Sequence, residues 1–293
     1  MTPPVTITAP KETEEALCIL DQVSADHLEW LKQVHRSLLF QDADPRPAAD
    51  GRGVEDGLAE KVSDRTGDCH AALRRLKDAR RDMEVTGRCL TGRAAEGLPV
   101  DPAGYMAFMN AVETYHAEGR RVELMLHQAL AETDPLTGLR NRRGMMRDLR
   151  REWMRADRNR ETCCVALVDL DHFKEVNDTR GHLTGDKVLA ETAAFFLRRL
   201  RSYDQVFRFG GEEFLFCLPH TDIPRAKRIL DRLRLLMARL PLLDQEGHRF
   251  FVSISIGIAD MLSRTPPEAA VARADHALYL AKAAGRNRVC VAG

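Results

Sequence analysis

The feature that most restricts the fold is a change of hydrophobic period near residue 133. Upstream of it, apolar residues recur at helical steps and no segment reads as a strand. Over 11–40, Leu20, Val23, Leu31, Val34 and Leu38 follow at intervals of three, four or eight, which sets them on one helical face. His27 falls on that face, four residues from both Val23 and Leu31. "QDADPRPAADGRG" then breaks the pattern. A short helix is expected around 54–64, a longer one over 69–90 and a third from Pro102 to Glu132, so 1–131 is expected to form a four-helix bundle. At "ETDPLTGLRNRRG", Pro135 and Gly138 interrupt the last helix. Beyond it, strand and helix signals alternate. "CCVALVDLD" is an apolar run suited to a strand buried on both faces, and "QVFRFGGEEFLFCLP" reads as two strands joined by a Gly-containing turn. Three amphipathic helices, a strand in "RFFVSISIGIAD" and a closing strand in "NRVCVA" complete a sheet covered by helices over 132–293.

Composition removes several classes. Lys plus Arg and Asp plus Glu balance at 44 each, so no general attraction to nucleic acid or to an anionic membrane follows. No apolar run approaches the roughly 20 residues of a membrane helix, and the first residues lack a signal-peptide pattern. Seven cysteines without a CxxC pair suit free thiols in a reducing compartment. A cytoplasmic protein with neither nucleic-acid nor membrane partner is the expectation.

The chemistry is concentrated in acids. Asp169 ends the apolar run where a buried strand would carry Val or Ile, and a buried unpaired carboxylate is costly. Glu212 and Glu213 stand side by side at the tip of the expected hairpin. If the hairpin lies beside the strand, three like charges meet at one sheet edge, which is tolerable only with cations. Oxygen-only ligands suit Mg²⁺, and such a site fits phosphoryl or nucleotidyl transfer. Gly210 and Gly211 then supply the turn and a close backbone approach to a ligand.

"GGEEF" (210–214) resembles the signature of the GGDEF family, the diguanylate cyclases, and the surroundings agree. "DPLTGLRNRR", "DLDHFKEVNDTRGHLTGD", "RSYDQVFRFGGEEF", "SISIGIA" and "ADHALYLAKAAGRNRV" follow in the family's order over about 134–291. The resemblance implies an α+β/α/β chain, a four-helix bundle followed by a nucleotidyl-cyclase-like palm, that condenses two GTP into cyclic di-GMP. It implies two Mg²⁺ (or Mn²⁺) ions per half-site, held by Asp169, Glu212, Glu213 and the Leu170 carbonyl. Either hairpin glutamate can then deprotonate the 3′-hydroxyl. It assigns Asn177, Asp186 and His182 to guanine, and Lys174 to the charge developing at phosphate. Lys282, Arg286 and the backbone at His172 and Phe173 fall to the triphosphate. Arg201 and Asp204 of "RSYD" match the family's inhibitory site for the product. Because each site holds one GTP, a homodimer is implied, with 116–132 as the helix that sets its geometry. A degenerate domain acting as nucleotide receptor or scaffold is the alternative, and the intact Asp169, Glu212, Glu213 and Lys174 stand against it.

The N-terminal bundle distantly resembles the chemoreceptor zinc-binding (CZB) domain, through "DHLEWL" and the helical plan. His27 matches one ligand position. Glu55, Arg80 and Glu84 fall near the others, and Arg80 cannot ligate a metal, so zinc is not favoured and the ligand of this region stays open.

Overall fold

The computed structural model describes residues 10–40, 68–262 and 265–293. The helix expected at 54–64 and Glu55 lie outside the described residues. The chain divides into two compact units, one ending at Ala131 and one beginning at Glu132.

Among the described residues the first unit has three long helices, α1 (Pro10–Phe40), α2 (Asp68–Ala95) and α3 (Pro102–Ala131). The heptad-like face of α1 is inward: Leu20, Val23, Trp30 and Val34 pack with Leu73, Leu76, Met83 and Leu90 of α2 and with Phe108, Val112, Val122 and Leu126 of α3. None of the described helices is long and apolar enough to cross a membrane.

The second unit is a six-stranded sheet in the order β1-β3-β4-β2-β7-β8. Its strands are β1 (Arg140–Asn141), β2 (Cys163–Leu170), β3 (Gln205–Arg208), β4 (Glu213–Pro219), β7 (Ile254–Asp260) and β8 (Val289–Val291). The two-residue strands β5 (Leu242–Leu243) and β6 (Arg249–Phe250) form a separate ribbon. The segment expected as one strand over 249–260 is therefore two, β6 and β7. The helices are α4 (Arg142–Asn159), α5 (Phe173–Arg180), α6 (His182–Arg199), α7 (Ile223–Met237) and α8 (Pro267–Ala283). Neither α4 nor α5 was anticipated above; α4 carries so many arginines that its buried stripe of Met145, Leu149 and Ala156 is diluted.

Every residue of β2 is buried, because β4 and β7 flank it antiparallel and helices cover both faces. The period of two then decides where each side chain goes. Val165 and Leu167 join Leu215, Cys217 and Ala259 against Met145 and Leu149 of α4 and Ala274 and Leu278 of α8. On the opposite face Phe196 of α6 packs edge-on against Phe214 and Phe216. Counting on from Leu167, Asp169 projects on the α8 side.

Candidate active site

Register brings the acids together. Asp169 pairs with Glu213 of β4 on one side and with Ser255 of β7 on the other. The tip of the hairpin is held down by backbone bonds: the Leu170 amide donates to the Glu212 carbonyl (3.3 Å), and the Phe209 amide to the Glu213 carbonyl (2.8 Å). A Cβ on residue 210 would stand 2.5 Å from the Glu213 carboxylate, so a larger residue there would push that side chain aside. At Gly211, among the described residues, no neighbouring atom lies within 4 Å of such a Cβ.

Burial, and then the charge of Asp169, push the carboxyls of Glu212 and Glu213 above the ordinary glutamate range. Asp169 is itself raised: its burial outweighs the Lys282 ammonium, whose Nζ lies 2.6 Å from Asp169 Oδ2. Lys282 reaches this point from the last turn of α8. Among the described residues no three His, Cys, Asp or Glu side chains already close on a common point. The donor set is nonetheless oxygen-only and short of positive charge, and it fits a hard divalent cation.

A second group of predicted residues lies on α5 and α6. Asn177 packs so tightly against the first turn of α6 that a Cβ on Gly185 would fall 1.9 Å from its Oδ1. This contact sets Asn177 beside the residue following Gly185, Asp186. Asp186 and His182 are exposed, as is Lys174. His172 takes a left-handed backbone (φ 58°) as it caps α5, and its ring bonds Glu175 (2.6 Å). The amides of Phe173 and the next residue are ones that a helix start leaves without intrahelical acceptors.

Arg201 and Asp204 form a turn away from the acids. The Asp204 carboxylate is buried and accepts the Arg201 amide (2.9 Å), while the Arg201 guanidinium is exposed and donates to the Tyr203 hydroxyl (2.6 Å). In the helical unit His27 is buried, with ring neighbours Tyr115 at 4.7 Å and His116 at 5.0 Å. Burial, then the charges of His116 and Arg80, hold its pKa down to about 4. Arg80 and Glu84, the positions nearest to expected metal ligands, bond each other at 2.9 Å.

Three participants were missed by the sequence reading. Arg208 donates to both oxygens of Asp134 (2.8 and 2.9 Å) and to the Gly211 carbonyl (2.9 Å), bracing the hairpin tip against the start of the unit. Asp171, beyond the end of β2, accepts from Ser253 and Ser255 (2.6 Å each) and from the Asn287 amide (3.0 Å). Arg142 stacks over the Phe209 ring at 4.7 Å and draws Glu213 toward its charged form. The one available signal was the second acid of "DLD", two residues from Asp169 and so on the same face.

The fold and site define a class: a mixed-sheet α/β domain whose central strand and neighbouring hairpin present a cation-seeking acidic edge. The profile described as "Diguanylate cyclase, GGDEF domain" matches residues 131–288, and the chain belongs to the GGDEF family. It is 44% identical over 162 residues to diguanylate cyclase DgcP of Pseudomonas aeruginosa, covering 55% of this chain and 24% of that protein. The chain thus spans about a quarter of that relative's length. The crystal structure of the coiled coil and GGDEF domain of DgcB from Caulobacter crescentus, in complex with c-di-GMP, is similar with TM-score 0.56 and 31% identity. It covers 64% of this chain and all of that one. Diguanylate cyclase SiaD of Pseudomonas aeruginosa, in complex with its activator SiaC, is similar over 92% of this chain and all of its own, with TM-score 0.54 and 30% identity.

Proposed function

We propose that this chain is a diguanylate cyclase that condenses two GTP into cyclic di-GMP and two diphosphates. The observation that carries the reading is the cross-strand pair Asp169–Glu213 with Glu212 on the adjoining turn and Lys282 Nζ 2.6 Å from Asp169. Asp169, Glu212, Glu213 and the Leu170 carbonyl would hold the divalent cation, Mg²⁺ or Mn²⁺ and two per half-site, which would supply positive charge against the phosphates and acidify the 3′-hydroxyl. Asn177 donates to and accepts from the guanine edge, the Asp186 carboxylate accepts from N1–H and the 2-amino group, and His182 stands at the pocket wall. Lys282 and Arg286 hold the triphosphate, helped by the backbone at His172 and Phe173. The 3′-oxygen of one nucleotide attacks the α-phosphorus of the other; the P–O bond to diphosphate breaks, and the hydroxyl proton passes to Glu212 or Glu213. Lys174 faces the charge that grows at phosphate.

One nucleotide per site makes the working unit a homodimer, with 1–131 as the regulatory and dimerising region and 132–293 as the catalytic one. Likeness to SiaD over nearly the whole chain supports an input through the helical region, by a protein activator of the kind named for that relative. GTP as substrate supports a cytoplasmic location for the chain. Arg201 and Asp204 form the product-feedback site. The test is incubation of the purified chain with GTP and Mg²⁺, with and without chelator, followed by nucleotide chromatography. Metal-dependent appearance of cyclic di-GMP is the expected result, and its absence with GTP bound would favour a receptor.

A further inference from the structure

The turn that follows α8 is built from unfavourable backbone. Gly285, Arg286 and Asn287 take φ of 106°, 59° and 43° in succession; Gly and Asn tolerate the left-handed region, but Arg286 is a residue that avoids it. Such a turn persists only where its surroundings over-determine it. Two side chains do so from opposite sides. Arg234 of α7 donates through one nitrogen to both the carbonyl (3.0 Å) and the side-chain oxygen (2.9 Å) of Asn287. The Arg234 guanidinium is itself fixed by Asp231 at 2.8 Å, and its side chain is only 14% exposed. From the sheet side, the buried Asp171 accepts the Asn287 amide while Ser253 and Ser255 hold both its oxygens.

What this turn carries is Arg286. Its guanidinium is exposed and makes no hydrogen bond among the described residues, yet it lies near enough to Asp169 to favour the charged carboxylate. We propose that Arg234 and Asp171 are positioning residues that clamp the 285–287 turn and so aim Arg286 at the triphosphate of the bound nucleotide. Without the clamp on Asn287, Arg286 relaxes from its left-handed backbone and its guanidinium swings with it. The Arg234 guanidinium and the Asn287 amide are both engaged within the protein. The assignment rests on the reading of Arg286 as a triphosphate ligand.

The experiment compares affinities for 3′-deoxy-GTP, which lacks the attacking hydroxyl, and for GMP, both with Mg²⁺, by calorimetry on the full chain. Arg234→Met is expected to weaken 3′-deoxy-GTP binding about tenfold, the scale of charge-assisted hydrogen bonds, and to leave GMP binding unchanged. Arg234→Lys, which retains one donor and guards against a folding defect, is expected to fall between. Asp171→Asn is expected to lose triphosphate affinity in the same selective way. In an Arg286→Ala background the Arg234→Met loss is expected to vanish. Equal losses for GMP and the triphosphate, or the same loss with and without Arg286, would overturn the positioning role while leaving the cyclase reading intact. A wild-type chain that binds 3′-deoxy-GTP no better than GMP, with Arg286→Ala indifferent, would overturn the triphosphate reading and this assignment with it.

Discussion

Lys282 Nζ lies 2.6 Å from Asp169 Oδ2, where an ammonium offsets a carboxylate that burial pushes toward its neutral form. The lysine therefore competes with any cation for that oxygen. Lys282→Met is expected to bind Mn²⁺ more tightly than wild type without nucleotide, measured by electron paramagnetic resonance of free Mn²⁺. The same variant is expected to raise the KM for GTP about tenfold or more, because the triphosphate loses a charge-assisted partner. Weaker Mn²⁺ binding would show that Lys282 does not oppose a cation.

Glu212→Gln keeps the volume of the hairpin tip and removes one charge. Loss of cyclic di-GMP formation by about two to three orders of magnitude is expected, the scale of deleting one electrostatic contact to a transition state. Thermal unfolding is expected to stay close to wild type, since burial and the neighbouring acids disfavour the Glu212 charge and no salt bridge holds it among the described residues. Substantial turnover in this variant would remove Glu212 from the site.

Gly185 offers a test of the proposed guanine pocket that removes no polar group. The Cβ of Gly185→Ala would meet Asn177 Oδ1 at 1.9 Å and Phe173 Cζ at 3.2 Å, so Asn177 must leave its place. Gly185→Ala is expected to reproduce the GTP affinity loss of Asn177→Ala, and the double variant to be no worse than either. Additive losses in a binding titration would separate Asn177 from this contact.

The Asp134–Arg208 pair predicts a pH dependence. Burial alone would raise the Asp134 carboxyl, but the hydrogen bonds from Thr137 and Arg208 overcome it and hold the pKa below the ordinary aspartate value of 3.8. A depressed folded pKa means that the contribution is complete above that value and is lost as pH falls through the folded pKa. Asp134→Asn is expected to cost about 1–2 kcal/mol in urea unfolding at pH 7. The gap to wild type should narrow only below about pH 4. A gap that closes between pH 7 and 5 would mean that another group is responsible.

Arg201 and Asp204 should separate on mutation. The Arg201 guanidinium is exposed on the Tyr203 hydroxyl, whereas Asp204 is buried and caps its own turn. Arg201→Ala is expected to relieve inhibition by added cyclic di-GMP with initial rates near wild type. Asp204→Ala is expected to relieve it and also to lower the unfolding temperature. Identical inhibition of Arg201→Ala and wild type in initial-rate curves would place feedback elsewhere.

Much of this site could be read before the fold was known, and the reason is locality. Glu212 and Glu213 are adjacent, and Asp169 interrupts a run whose alternation is otherwise apolar. Arg208 was not legible because its partner, Asp134, lies 74 residues away. Asp171 draws on partners 82 to 116 residues distant. Strands β1, β5 and β6 have two residues each and no period to detect. His27, by contrast, was legible as an inward residue, but its packing on Tyr115 and His116 arises from a helix nearly ninety positions later.

The double pairing of β2 bears on how this sequence can change over time. Asp169 answers to Glu213 on one edge and to Ser255 on the other. A single-residue insertion anywhere in 163–168 would turn Asp169 to the α6 side, exchange it with a side chain meant for Phe196 and misalign both neighbouring strands together. No compensating slip in one neighbour can repair the other. Gene-length variation in descendants of this chain should therefore collect in the connections far from this strand, while 163–171 drifts only by substitution at constant length.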